Sequence, residues 1–237
     1  MYFVFDMDET IAQLYTMYYF IESLRLTTEL HKEYKKKAYK KFVRKILKEE
    51  TSDKPLGILR PGILNVMSKL YELHKKGIVK GVIIYSNNGN LESVEFIRDL
   101  INKHVGNKLI KECIHWYHPL RGRYKTNKTW KELNNILMNG IYKDKNVNKD
   151  NVYFFDDLCH TDLMENINYY RVPAYNFKAS FGRISYIYKD AISNVKEKYN
   201  PCQNIIKGTS DNPPLQDKGI DIMMNAIDNL KKSKNQT

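Results

Sequence analysis

Short apolar runs alternate with longer stretches of helical period along the 237-residue chain. YFVF (2–5) stops abruptly at Asp6. A run that short and that apolar suits a strand buried on both faces. VKGVIIYSNNG (79–89) predicts the clearest strand, a β-branched run broken by Asn87-Asn88-Gly89. VYFF (152–155) repeats the first pattern ahead of Asp156 and Asp157. ECIHWYH (112–118) and YRVPAYNF (170–177) are further strand candidates, the second at an edge because Pro173 cannot donate to a ladder.

Helical spacing fills the intervals. In LRPGILNVMSKLYELHKKG (59–77), apolar residues fall at 63, 64, 66, 67, 70, 71 and 73, with Pro61 near the start and Gly77 past the end. NLESVEFIRDLINKHVG (90–106), TWKELNNILMNGI (129–141) and segments near 180–198 and 218–232 read the same way, with a loop containing NPPLQ between the last two. IAQLYTMYYFIESLRL (11–26) has mixed spacing and leans to helix, while TSDKPLG (51–57) is a loop. Strand–helix alternation predicts an α/β fold with a Rossmann-like, mostly parallel sheet flanked by helices. Residues 11–57 lack a strong strand and read as a helical basic insertion after the first strand. The expected division is one domain over 1–206, followed by a loop, a helix and a polar tail over 207–237.

Charge adds a second pattern. The chain carries a net +12 and a pI of about 9.3, which attracts anions. HKEYKKKAYKKFVRKILKEE (31–50) holds nine Lys/Arg against three Glu, half of that excess, with Tyr34, Ala38, Phe42, Ile46 and Leu47 at helical spacing. It is either a solvated helix face or a guide for an anionic partner such as nucleic acid. Cys113, Cys159 and Cys202 lie far apart, which argues against a zinc site and a disulfide framework and for a reducing compartment. Asp6, Asp8 and Glu9 interrupt the apolar start before a signal sequence is complete. No run is long enough to span a bilayer, so an intracellular protein, cytoplasmic or nuclear, is expected.

The strand ends carry the chemistry. Ligands of open α/β sheets bind at the carboxyl ends of strands. There this sequence places Asp6-Met7-Asp8-Glu9-Thr10, Ser86-Asn87-Asn88 and Asp156-Asp157. Acids from two strands brought into one crevice call for a cation between them. An all-oxygen donor set suits Mg²⁺ rather than zinc.

FDMDET, VIIYS, a downstream lysine and VYFFDD together resemble the four motifs of the haloacid dehalogenase-like aspartate-nucleophile phosphatases. DMDETI and LRPGILNVMSKL are similar to the branch of NLI-interacting-factor and polymerase carboxy-terminal-domain phosphatases. The resemblance spans 1–10 and about 58–177, leaving out the basic insertion and the C-terminal tail. It implies a Mg²⁺-dependent phosphomonoesterase acting through an aspartyl-phosphate on phosphoserine or phosphothreonine of a protein. Asp6 would be the nucleophile, and Asp8 the general acid and then base, its backbone carbonyl also on the metal. Thr10 would fix the turn that holds Asp8 and join Ser86, Asn87 and a lysine around the phosphate. Asp157 would bind Mg²⁺ directly, and Asp156 would orient the lysine or a metal-bound water.

RGRYKTNKTWKEL (121–133) offers Lys125, Lys128 and Lys131 as that lysine. Lys128 is the choice, because it precedes a helix start facing the strand edge. Asp157 with Asp162 is a second-ranked acid pair. His160 and Cys159 read as neighbours of the acids, Arg60 as a structural pair, Trp116 and Trp130 as core, and Arg121 or Arg123 as phosphate contacts of low rank. Two other functions stay open: a phosphatase of nucleic-acid ends or nucleotides gripped by 31–50, and a catalytically silent fold serving as a binding module.

Overall fold

The computed structural model describes residues 1–26, 32–122, 126–193 and 217–234. Five strands, β1 (Tyr2–Phe5), β2 (Gly81–Tyr85), β3 (Ile110–Ile114), β4 (Val152–Asp156) and β5 (Asn168–Arg171), form one sheet in the order β3-β2-β1-β4-β5. Every pairing is parallel. The α/β, Rossmann-like expectation holds, with a wholly parallel sheet.

Parallel strands covered on both faces have no polar side to show, which explains the unbroken apolar runs. Phe3 and Phe5 of β1 join Val82, Ile84 and Phe155 in one core. Tyr2 and Val4 join Ile83, Tyr85, Val152 and Phe154 in the other. Phe5 and Phe155 stack with ring centroids 4.9 Å apart across the β1–β4 pair.

The helices are α1 (Met17–Leu26), α2 (Lys32–Glu50), α3 (Ile63–Lys75), α4 (Leu91–Val105), α5 (Trp130–Asn139), α6 (Thr161–Asn166), α7 (Phe181–Ala191) and α8 (Lys218–Lys234). Their starts follow local chemistry. The Asn90 side chain caps α4 by accepting the Ser93 N–H at 2.7 Å, and Thr129 accepts the Glu132 N–H at the start of α5. The larger core takes residues from α1, α2, α3, α4, α7 and α8, whereas α5 and α6 cover the other face. The described parts of 11–57 therefore pack into the main core: Phe42 of α2 lies against Phe96 of α4 and Tyr188 of α7. Residues 217–234 do likewise. Met223, Ala226 and Ile227 of α8 are buried in that core, and Asp217 pairs with Arg60 at 3.2 Å.

Several boundaries differ from the sequence reading. Helix α1 begins at Met17, because residues 11–16 form turns tied to Met7 and Ile58. β3 ends at Ile114, and His115–His118 turn away, so ECIHWYH is strand only in its first half. β5 ends at Arg171, which leaves Pro173 outside the strand it was expected to mark as an edge. The edge position itself is correct. Arg123, Lys125, Cys202, the end of the helix proposed over 180–198 and the NPPLQ loop lie outside the described residues. Among the described residues no helix is long and apolar enough to cross a membrane.

Candidate active site

The order β3-β2-β1-β4-β5 reverses direction between β1 and β4. Such a reversal opens a crevice beyond the carboxyl ends of the two strands. Asp6 follows β1 directly, its N–H still bonded to the Phe155 carbonyl of β4 at 2.8 Å. Asp156 is the last residue of β4. The sheet alone thus brings together two carboxylates 150 residues apart in sequence.

Lys128 stands between them. Its Nζ lies 2.5 Å from Asp6 Oδ1 and 2.7 Å from Asp156 Oδ2, and its side chain is 2% exposed. Helix α5 starts two residues later, and the Lys128 N–H donates to His160 Nδ1 at 3.3 Å. The aromatic rings of Tyr85 and Phe154 flank the ammonium at 5.6 and 5.4 Å. A buried ammonium persists only with such partners. The lysine is therefore fixed by two acids, two rings and its own backbone.

The turn carrying Asp8 is over-determined. Glu9 has φ +57°, a left-handed conformation that disfavours a residue with a Cβ. Its N–H donates to the Ala12 carbonyl, and its carbonyl accepts from the Tyr175 N–H at 2.7 Å and from Arg60 Nη2 at 2.8 Å. Arg60 also donates to the Pro173 carbonyl and pairs with Asp217. It is thus the structural residue that the sequence suggested. This frame aims Asp8 toward β2, where Ser86 Oγ donates to Asp8 Oδ2 at 3.1 Å and Asn88 Nδ2 approaches the same oxygen at 3.3 Å.

Thr10 and Asn87 are occupied differently from their expected phosphate contacts. Thr10 Oγ1 donates to Asp157 Oδ1 and accepts the Asp157 N–H, both at 3.0 Å, so its hydroxyl fixes an acid of the opposite strand. The Asn87 side chain donates to the Thr126 carbonyl at 2.7 Å and accepts from Arg121. Arg121 is buried, donates to the Ser86 carbonyl at 2.9 Å and lies over the Tyr85 and Trp116 rings. It holds the Ser86-Asn87 loop rather than facing a substrate, and Trp116 is the partly buried ring it stacks on. Trp130 is half-buried against the smaller core. Asp162 accepts the Trp130 N–H at 2.5 Å and stands outside the acid cluster, which sets aside its pairing with Asp157.

Asn88 had no assigned role in the sequence reading, and His160 is the neighbour of the acids that the sequence suggested. Asn88 contacts Asp8, and buried His160 places Nε2 3.4 Å from Asp156 Oδ2. Both sit within three residues of recognised motifs, and that proximity is the only signal the sequence carried.

The electrostatics follow from burial. Asp6 is pushed well above the usual carboxylate range by burial, with Asp156 and Asp8 adding to the shift and Lys128 opposing it. Asp156 is also penalised by burial, but His160 and Lys128 outweigh that and hold it below its ordinary value. Burial raises Asp8 against the hydrogen bonds from Asn88 and Ser86, and raises Asp157 against the one from Thr10. Carboxylate oxygens of Asp6, Asp156 and Asp157 lie within 4.8 Å of one another. One ammonium among four acids leaves negative charge in excess, and these oxygen-only donors fit a hard divalent cation. The chain matches no family model, no curated protein and no solved structure.

Proposed function

We propose that this chain is a Mg²⁺-dependent phosphomonoesterase working through an aspartyl-phosphate on Asp6, with phosphoserine or phosphothreonine of a protein as substrate. The observation that carries the reading is Lys128 Nζ shared between Asp6 and Asp156 at the sheet's reversal point, with Asp8 held beside them by Ser86 and Asn88. The motif resemblance supplies the reaction class and the substrate, and the geometry is compatible with both.

In the first step an Asp6 carboxylate oxygen attacks phosphorus, and the ester P–O bond breaks with its electron pair going to the alcohol oxygen. Asp8 gives that oxygen a proton. Burial raises the proton affinity of Asp8, which suits a group that begins as an acid. In the second step Asp8 takes a proton from water, the water oxygen attacks phosphorus, and the Asp6–phosphate bond breaks. Inorganic phosphate leaves and both aspartates return to their starting states. Ser86 and Lys128 would offer donors to the phosphate oxygens. Asp6, the Asp8 carbonyl and Asp157 would hold Mg²⁺, whose chemistry is to neutralise the charge gathered between carboxylate and phosphate.

The test is phosphate release from phosphoserine peptides and from 3′-phosphorylated oligonucleotides, side by side, with and without Mg²⁺. Peptide turnover that needs Mg²⁺ and drops at least about 1,000-fold in Asp6→Asn is the expected result. Turnover of the oligonucleotides alone would replace the substrate, and no release from either would sink both.

A further inference from the structure

Helix α2 presents four cations in register. Lys36, Lys40, Arg44 and Lys48 are exposed and spaced four residues apart, so they line one ridge about 18 Å long. Each neighbouring pair is a like-charge i,i+4 contact, which destabilises a helix. None of the four has an ion-pair partner among the described residues. Other lysines of this chain are paired: Lys41 and Lys45 with Asp190, and Lys80 with Asp144.

A second cationic feature adjoins this ridge. Between the end of α4 and the start of β3 lies an open cleft of about 840 Å³, rimmed by the exposed Lys103, Lys108 and Lys111. Asn102 fixes its floor by exchanging two hydrogen bonds with Ile110, both at 2.9 Å. Asp99, which also lines the cleft, accepts from Tyr39 of α2 at 3.0 Å. Tyr39 packs on Phe96 of α4 and precedes Lys40 in sequence, so this bond ties the helix that carries the ridge to the wall of the cleft.

We propose that ridge and cleft together form a docking surface for a nucleic-acid strand, held through its sugar–phosphate backbone. Seven cations across two elements, none ion-paired among the described residues, match a polyanion and relieve the repulsion along α2. A lipid surface fits less well. Tyr34 is the one large apolar side chain exposed on α2, whereas interfacial helices bury an apolar face. A concave cleft also presents nothing to a flat bilayer. The cleft lies at the amino edge of the sheet, one strand length, about 16 Å, from the edge bearing Asp6. A strand docked there leaves the candidate active site free, so this inference goes beyond the proposed phosphatase and does not rest on it.

The experiment is fluorescence anisotropy of a labelled 20-nucleotide strand with the full chain, from 50 to 200 mM salt. Seven phosphate contacts predict a slope of log affinity against log salt near −5, a loss of about 1,000-fold across that range. Lys36→Gln/Lys40→Gln/Arg44→Gln/Lys48→Gln should make the slope shallower by about 3, and Lys103→Gln/Lys108→Gln/Lys111→Gln by about 2. Glutamine preserves helix propensity, and circular dichroism verifies folding. Hydrolysis of a small aryl phosphate is read in the same samples. Oligonucleotide binding without hydrolysis would support the surface and count against the phosphatase, and the converse would overturn the surface alone. Binding with an unchanged slope in both variants, or binding only to phosphatidylserine vesicles, would also overturn it.

Discussion

At the carboxyl edge of the sheet, Lys128 is 2% exposed and shared by two aspartates. Along α2, Lys36, Lys40, Arg44 and Lys48 stand in solvent with no acid paired to them among the described residues. The same charge has opposite consequences in the two places. In the crevice the low dielectric makes each contact strong and each lost partner costly. On the ridge, water and salt screen single charges, which act only in sum on a distant polyanion. A single substitution should therefore be decisive in the first region and nearly silent in the second.

The largest effect expected is at Lys128. Lys128→Met removes the ammonium and leaves Asp6 facing Asp156 in a buried space, which should cost about 3–5 kcal/mol by denaturant unfolding at pH 8. The cost should shrink toward pH 5, because protonation of Asp6 relieves the repulsion. Added Mg²⁺ should restore part of the stability at pH 8 if the acid cluster holds the ion. A variant as stable as the parent at pH 8 without Mg²⁺ would remove the claim that this lysine organises the site.

Glu50, at the end of α2, extends the contrast to an acid. Burial raises its pKa from 4.5 to about 7, against backbone hydrogen bonds and the charge of Arg183. Ile58 donates to its carboxyl at 2.9 Å. The folded state thus holds this proton more tightly than the unfolded chain does. Stability from this group is fully present below about pH 4.5 and is lost as pH rises toward about 7. Glu50→Gln keeps an acceptor for Ile58 and cannot ionise. Since Glu50 is partly accessible, the variant should gain about 1–2 kcal/mol at pH 8 and nothing near pH 4. Urea unfolding at the two pH values measures the difference.

How far the sequence revealed these regions depended on whether a residue's partners were near it in the chain. β1, β2 and β4 were legible because burial on both faces leaves an unbroken apolar run. β3 was less so: Lys111 and Glu112 interrupt it, while His115–His118 imitate a strand with aromatic residues. β5 exposes part of every side chain, so its end was placed too late. Helix α6 has six residues, too few to show a period. At the site, Asp6 and Asp8 announced themselves by interrupting hydrophobic sequence. Asn88 and Arg121 did not, because their partners lie 80 and 35 residues away and asparagine and arginine are common surface residues.

Asn88 supplies an intermediate effect. Asn88→Ala removes one donor from Asp8 and leaves the one from Ser86. A hydrogen bond to a charged group contributes about 1.5–3 kcal/mol at most, and this one is long. If Asp8 moves protons, turnover of an aryl phosphate should fall about tenfold, and the alkaline limb of its pH profile, set by loss of the Asp8 proton, should shift upward because the carboxylate loses a stabilising donor. A purely structural role would lower the unfolding midpoint and leave the pH profile in place.

The smallest effect is expected on the ridge and completes the comparison. Lys40→Gln alters one exposed charge with no acid paired to it among the described residues, beside two like charges four residues away, Lys36 and Arg44. Removing it takes away two repulsive i,i+4 contacts and no attractive one, so stability should rise slightly, by at most about 0.5 kcal/mol. The gain should fade in 1 M salt, where the Debye length is only about 3 Å. Unfolding at low and high salt reads both parts. A loss of stability instead would mean that Lys40 has an attractive partner, and would place it with Lys128 among the lysines that the fold itself requires.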